Sequence, residues 1–171
     1  IIGARAGNAL TTGSSTVALG AAALYSNTTG DYNVAVGYQA GYTNSTGTRN
    51  TYIGYRAGYT NNSNYNTIVG WSAGPNTTGL GNTLFGDSAG NNLTTGKGNT
   101  FIGTNNDVGG AAGSTITTGS YNTILGGYNG AQGGLTITTS NGYIVLSDGY
   151  GNPRTWNDNN GYLFCPGVYN L

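Results

Sequence analysis

The chain has no histidine, no methionine and a single cysteine, Cys165. It has no glutamate either, so its acids are Asp31, Asp87, Asp107, Asp148 and Asp158. Each absence closes off a chemistry. Without imidazole, no histidine base can activate a serine or cysteine nucleophile, and the usual zinc sites lose their ligand. One cysteine permits no intrachain disulfide; it is left as a small buried thiol or a bond between copies. Charged residues make up only 6%, and five basic residues balance five acidic ones. No basic patch exists to neutralise phosphates, so neither nucleic acid nor an anionic membrane surface is an expected partner. No apolar run approaches the ~20 residues of a membrane helix, and no signal peptide is visible. The chain opens mid-pattern on "IIGARAG" and reads as a piece of a longer polypeptide.

What is present is glycine, 33 of 171 residues, with 14 tyrosines and abundant Asn and Thr. Hydrophobic residues at 36% argue against simple disorder. Self-comparison shows why the composition is so narrow. An apolar-Gly step recurs at Gly3, Gly20, Gly37, Gly54, Gly70, Gly86, Gly103 and Gly126, mostly 16 or 17 residues apart. Asn precedes the glycine by four residues at Asn33, Asn50, Asn66, Asn82, Asn99 and Asn122. Ala follows it by three at Ala6, Ala23, Ala40, Ala57, Ala73 and Ala89, usually with a second Gly behind. "TG" closes most units.

A period near 17 is too short for two helices and a turn, and Gly, Asn and Thr disfavour helix. Two short strands joined by tight turns fit, with Gly and Asn supplying positive φ. Stacked units then form an all-β solenoid, one coil per repeat. The conserved spacing of the glycines assigns Gly20, Gly37, Gly54, Gly70, Gly86 and Gly103 to turns. Asn33, Asn50, Asn66, Asn82 and Asn99 fall in register as a hydrogen-bonded ladder. Two adjacent apolar residues precede each Gly, as in Tyr52-Ile53 and Leu84-Phe85. Strand neighbours point to opposite faces. One fills the coil; the other makes an exposed apolar stripe. A homotrimer packed along a common axis is the expected cover.

The repeat occupies 1–126, with an insertion about 104–119 that is read as lacking the Ala-Gly pair. Residues 127–171 lose the period and read as a small C-terminal β cap, with turns at "DGYGNP" and "DNNG".

Units such as "NVAVGYQAGYTNSTG" and "NTLFGDSAGNNLTTG" resemble the repeats of bacteriophage tail fibres. They also resemble the head repeats of trimeric autotransporter adhesins, which are trimeric β-rolls with shorter repeats. "YIVLSDGYGNPR" resembles the stretch that follows such repeats in phage fibres. The resemblance implies an elongated trimeric shaft on a virion, contributing to recognition of a host surface glycan, or a bacterial cell-surface adhesin. It brings no catalytic residue, no cofactor and no metal.

Candidate sites follow from the remaining columns. Asp148 and Asp158 are the one pair that suggests a glycan depolymerase, against their reading as turn caps. "DGYGN" has the oxygen content of part of a calcium loop but not its carboxylates. Tyr38, Tyr55 and Trp71 form one aromatic column, and Tyr25, Tyr42 and Tyr59 a second. Either file would stack on sugar rings or on itself. N-x-Ser/Thr sequons at Asn27, Asn44, Asn61, Asn76 and Asn92 read as Asn-Thr turns, or as exposed glycosylation sites in a eukaryotic setting. Ice binding needs a flat threonine array, and the "TTG" threonines lie in turns.

Overall fold

The computed structural model describes residues 1–104 and 110–165. The described chain is all-β. Its strands are β1 (Val17–Leu19), β2 (Val34–Val36), β3 (Thr51–Ile53), β4 (Thr67–Val69), β5 (Thr83–Phe85), β6 (Thr100–Ile102), β7 (Thr123–Leu125), β8 (Ile144–Ser147), β9 (Pro153–Asn157) and β10 (Leu163–Phe164). They form one sheet in sequence order. β1 to β8 are parallel, each one coil above the last. Ile2 bridges to Leu19 in the same sense and extends the stack below β1.

Each coil carries one three-residue strand, not two. The rest is turn backbone, and the reason is conformational. In the coil after β3, Gly54, Arg56, Gly58 and Tyr65 all have positive φ, from 52° at Arg56 to 130° at Gly54. Such residues cannot run as a strand. Their amides still pair coil to coil, as in Gly58 N–H to Ala73 O at 3.0 Å and Thr60 N–H to Pro75 O at 3.0 Å. The backbone is therefore satisfied without a second sheet.

The interior is filled by the middle residue of each strand and by the alanine column. Ala35, Tyr52, Ile68, Leu84, Phe101, Ile124 and Val145 are fully buried, as are Ala23, Ala40, Ala57, Ala73 and Ala89. Sizes compensate between columns. Beside Tyr52 the coil backbone is glycine: a Cβ on Gly41 would lie 2.5 Å from its ring, and one on Gly58 would also overlap it. In the coil whose strands offer only Ala18 and Ala35, the same position carries the buried Leu24. A close-packed interior has no room for two large residues at one level.

The structure sharpens two boundaries. The Ala-Gly pair is present in the long coil, six residues late, as Ala112-Gly113. Gly90 N–H donates to Ala112 O, and the Gly113 backbone lies against the Phe101 ring. The extra length therefore falls in 104–109, of which 105–109, with Asp107, lie outside the described residues. The stack also continues past 126. β8 pairs in parallel with β7, Ile144 opposite Thr123 and Leu146 opposite Leu125. The cap proper is antiparallel: β9 on β8, then β10 on β9. Residues 166–171 of the expected cap lie outside the described residues.

Candidate functional site

Three surfaces of the solenoid carry the sequence-derived candidates: the sheet, the turn columns and the cap hairpins.

On the sheet, the outward residue before each glycine stays in water in the single chain. Ile53, Leu125, Ile102, Leu19, Leu146 and Phe85 are 39% to 54% exposed, while Val36 and Val69 in the same file are half-buried. Alongside it runs a second outward file of Thr51, Thr67, Thr83, Thr100 and Thr123. Threonine is thus on the sheet as well as in the turns. The neighbouring file mixes valine, isoleucine, leucine and phenylalanine, so the face is ridged rather than flat.

The asparagine ladder is present and buried. Each side-chain oxygen accepts the backbone N–H of the next Asn: Asn33 from Asn50 at 3.0 Å, Asn50 from Asn66 at 2.9 Å, Asn66 from Asn82 at 2.8 Å, and Asn82 from Asn99 at 3.0 Å. The side-chain N–H groups reach turn carbonyls, as from Asn33 to Gly47 O at 2.7 Å. At the glycine column φ lies near 130–138° from Gly3 through Gly86, and a Cβ on Gly37 would stand 2.5 Å from the Gly54 carbonyl oxygen.

The sequons divide. Asn27, Asn44 and Asn61 are fully buried, which corrects the reading of five exposed sites. The Asn27 amide accepts from Gly30 N–H at 2.9 Å and returns a bond to Gly30 O at 3.1 Å. No oligosaccharide attaches to a side chain enclosed in this way. Asn76 and Asn92 are exposed, because the interior position in their coils passes to Thr77 and Leu93.

Both aromatic columns stack on themselves. Ring centroids are 4.9 Å apart for Tyr25–Tyr42, 5.1 Å for Tyr42–Tyr59, 5.4 Å for Tyr38–Tyr55 and 5.5 Å for Tyr55–Trp71. Interplanar angles stay between 8° and 17°. Tyr42 and Tyr55 therefore have both faces covered, and a sugar ring finds only their edges. Arg56 stands 4.5 Å from the Tyr59 ring centroid and donates to Gln39 at 3.1 Å. Where the Tyr25 file ends, Asn91 and Ser114 take the same position and line an open polar cleft with Asn92 and Thr115.

In the cap, Asp148 and Asp158 head two hairpin turns of one design. Asp148 accepts from Tyr150 and Asn152 N–H, both at 3.0 Å; Asp158 accepts from Asn160 and Tyr162 N–H, both at 2.9 Å. Arg154 pairs with the second Asp148 oxygen. Desolvation raises the Asp148 carboxyl, but the Asn152 bonds and the Arg154 guanidinium outweigh it and hold it down to about 2. Asp31 is also lowered, by the backbone and hydroxyl of Ser14. The two cap turns sit at opposite ends of β9, whose five residues span roughly 17 Å. Paired glycosidase carboxylates stand about 5–9.5 Å apart, so this pair is not so placed. Among the described residues no three acid, Cys or His side chains gather as metal ligands.

Sequence reading missed a third column. Ser15, Tyr32, Arg49, Tyr65, Gly81, Gly98 and Tyr121 each sit one residue before the ladder position and share positive φ. Arg49 lies between Tyr32 and Tyr65, 5.9 and 5.5 Å from their centroids, and donates to the Tyr65 hydroxyl at 2.9 Å. The signal was available: residues one before an aligned Asn must themselves align. No protein family, curated protein or solved structure matches this chain.

Proposed function

We propose that the chain is a structural and adhesive shaft segment of a homotrimeric fibre of the phage tail-fibre kind, borne on the virion and contributing to attachment to host surface glycan. The observation that carries this reading is the outward apolar file from Leu19 to Leu146, which runs the length of the stack on one face. Its larger members, Leu19, Ile53, Phe85, Ile102, Leu125 and Leu146, remain 39–54% in water, so covering each is worth about 1 kcal/mol, or several per copy before the cost of association. Three copies around an axis parallel to the stack cover all three files by symmetry. The coil repeat supports a shaft, since eight coil-to-coil steps at about 4.8 Å build a rod. Residues that would do catalysis are not part of the reading; Asp148 and Asp158 serve turns.

Sedimentation velocity tests the assembly. A trimer of the 17.3 kDa chain is expected, converted to monomer by Phe85→Asp with Ile102→Asp. A parent protein that stays monomeric at micromolar concentration would sink the proposal.

A further inference from the structure

The column that precedes the Asn ladder contains a gap. Its backbone is continuous: Tyr65 N–H bonds to Thr48 O, Gly81 N–H to Asn64 O, Gly98 N–H to Leu80 O and Tyr121 N–H to Lys97 O. All four residues have φ between 59° and 70°, so any side chain at this corner leaves the coil in the same direction. Tyr65 and Tyr121 do so and are 54% and 59% exposed. Between them Gly81 and Gly98 offer none.

The two glycines differ in what lies above them. A Cβ on Gly98 would meet the Tyr121 ring at 2.7 Å, so that ring leans over Gly98. A Cβ on Gly81 would meet nothing within 4 Å. The open space over Gly81 is thus walled by Tyr65 on one side and the leaning Tyr121 on the other. Tyr121 stands three coil steps from Tyr65, and the lean of its ring over Gly98 narrows the opening between the two walls. A flat ring stacked on a tyrosine wall needs roughly 4.5–5 Å, which the empty space over Gly81 admits. Arg49 covers the far face of Tyr65 and ties its hydroxyl at 2.9 Å, which presents the other face to the slot.

We propose that this slot binds a single residue of an acidic oligosaccharide, its ring between Tyr65 and Tyr121 and its carboxylate on Lys97. This deepens the attachment role proposed above and rests on it. The Lys97 ammonium stands 5.8 Å from the Tyr121 centroid, and among the described residues it has no acidic partner. Its charge is thus matched by no described carboxylate and lies beside the Tyr121 wall. Exposed Leu80 supplies an apolar contact for a sugar's C–H face. The slot is open to water along its outer side, which suits a hydrated ligand rimmed with hydroxyls better than an aromatic side chain. The stacked files Tyr25–Tyr59 and Tyr38–Trp71 offer no comparable opening, since their interior ring faces touch each other.

The test uses the full chain on an array of uronate-bearing, sialylated and neutral oligosaccharides. Gly81→Asn fills the slot with a side chain that tolerates positive φ; Tyr65→Ala removes one wall; Lys97→Gln removes the charge. The parent is expected to bind acidic members. Gly81→Asn and Tyr65→Ala should weaken that at least ten-fold with the melting temperature kept, and Lys97→Gln should erase the preference over neutral sugars. Tyr25→Ala, in a self-stacked file, should bind as the parent does. Binding that survives Gly81→Asn, equal binding of neutral sugars by the parent, or no sugar bound at all would each overturn the proposal. So would capture of a tryptophan-bearing peptide in place of any acidic sugar. Sedimentation of the same samples separates the two readings. A trimer that binds no glycan sinks only the slot; a monomer that binds glycan through Gly81 sinks only the shaft.

Discussion

The Tyr52 hydroxyl donates to the Asn61 side-chain oxygen at 2.9 Å, across the interior of one coil. Both residues are fully buried. A phenol in a narrow core needs such a partner, because an unpaired buried hydroxyl costs about 1–3 kcal/mol. The same oxygen accepts from Ser63 N–H at 3.0 Å. Tyr52→Phe therefore leaves Asn61 bonded and should cost only about 1 kcal/mol per copy. Tyr52→Ala should cost roughly 3–5 kcal/mol, since Gly41 and Gly58 have no side chains to close the cavity. Denaturant unfolding of the two variants checks the contrast; equal losses would refute it.

Alkaline pH reports on the same burial. Burial pushes the Tyr52 phenol well above the usual tyrosine range. Burial, aided by the nearby Tyr143, does the same at Tyr128, whose hydroxyl donates to Leu135 O at 3.0 Å. Unfolded, both ionise near pH 10; folded, both keep their protons. Unfolding above that pH releases protons, so stability is complete below about pH 10 and falls as pH rises beyond it. Absorbance at the tyrosinate band, followed with circular dichroism, should show these two phenols ionising only as the fold is lost. Titration of all 14 tyrosines with native dichroism intact would contradict this.

Legibility in the sequence followed from periodicity. Six columns in step specify a stack of coils, and the Asn ladder was readable because aligned amides have few other partners in a dry core. The sidedness of Tyr52 against Ile53 followed from strand alternation. What escaped was set by φ and by single-residue slips. Arg56 and Tyr65 look like ordinary residues in the sequence, yet their left-handed backbone removes the expected second strand. Asn76 and Asn92 look equivalent to Asn61, but a shift of one residue moves them from core to surface. Tyr25 and Tyr42 were visible as a column that would stack on sugar or on itself; the choice of itself depends on rotamers no repeat count supplies. The slot over Gly81 was hidden for the opposite reason, since it is defined by two absent side chains.

Acid pH acts on the cap. With the Asp148 carboxyl held at about 2 in the fold and near 3.8 unfolded, its contribution is present above pH 4 and is lost as pH falls toward 2. Asp148→Asn should flatten that dependence, as seen in hydrogen exchange of the Tyr150 and Asn152 amides. The double change Asp148→Asn with Asp158→Asn should leave the sedimenting mass of the protein unchanged, since both carboxyls serve turns. A smaller mass for that double variant than for the parent would overturn their assignment.

Gly54 tests the stack most directly. Its φ is 130°, and a Cβ there would collide with the carbonyl oxygen of Gly70 in the next coil. Two separate penalties then apply to any substitution. The backbone conformation costs about 1–3 kcal/mol for a residue with a side chain. The collision adds to it, because the opposing atom is backbone and its position is fixed by β3 pairing with β4. Alanine suffers both, so Gly54→Ala should already lower the melting temperature by several degrees, and Gly54→Val by more. Gly81→Asn is the control: its φ is also positive, at 70°, but it opens on empty space. The 70° at Gly81 lies in the left-handed well that Asn adopts, whereas 130° at Gly54 suits glycine alone. Gly54→Ala therefore meets both penalties and should destabilise, and Gly81→Asn meets neither and should not. A Gly54→Ala protein as stable as the parent would mean that adjacent coils can part to admit a methyl group, and the packing account of the glycine column would fail.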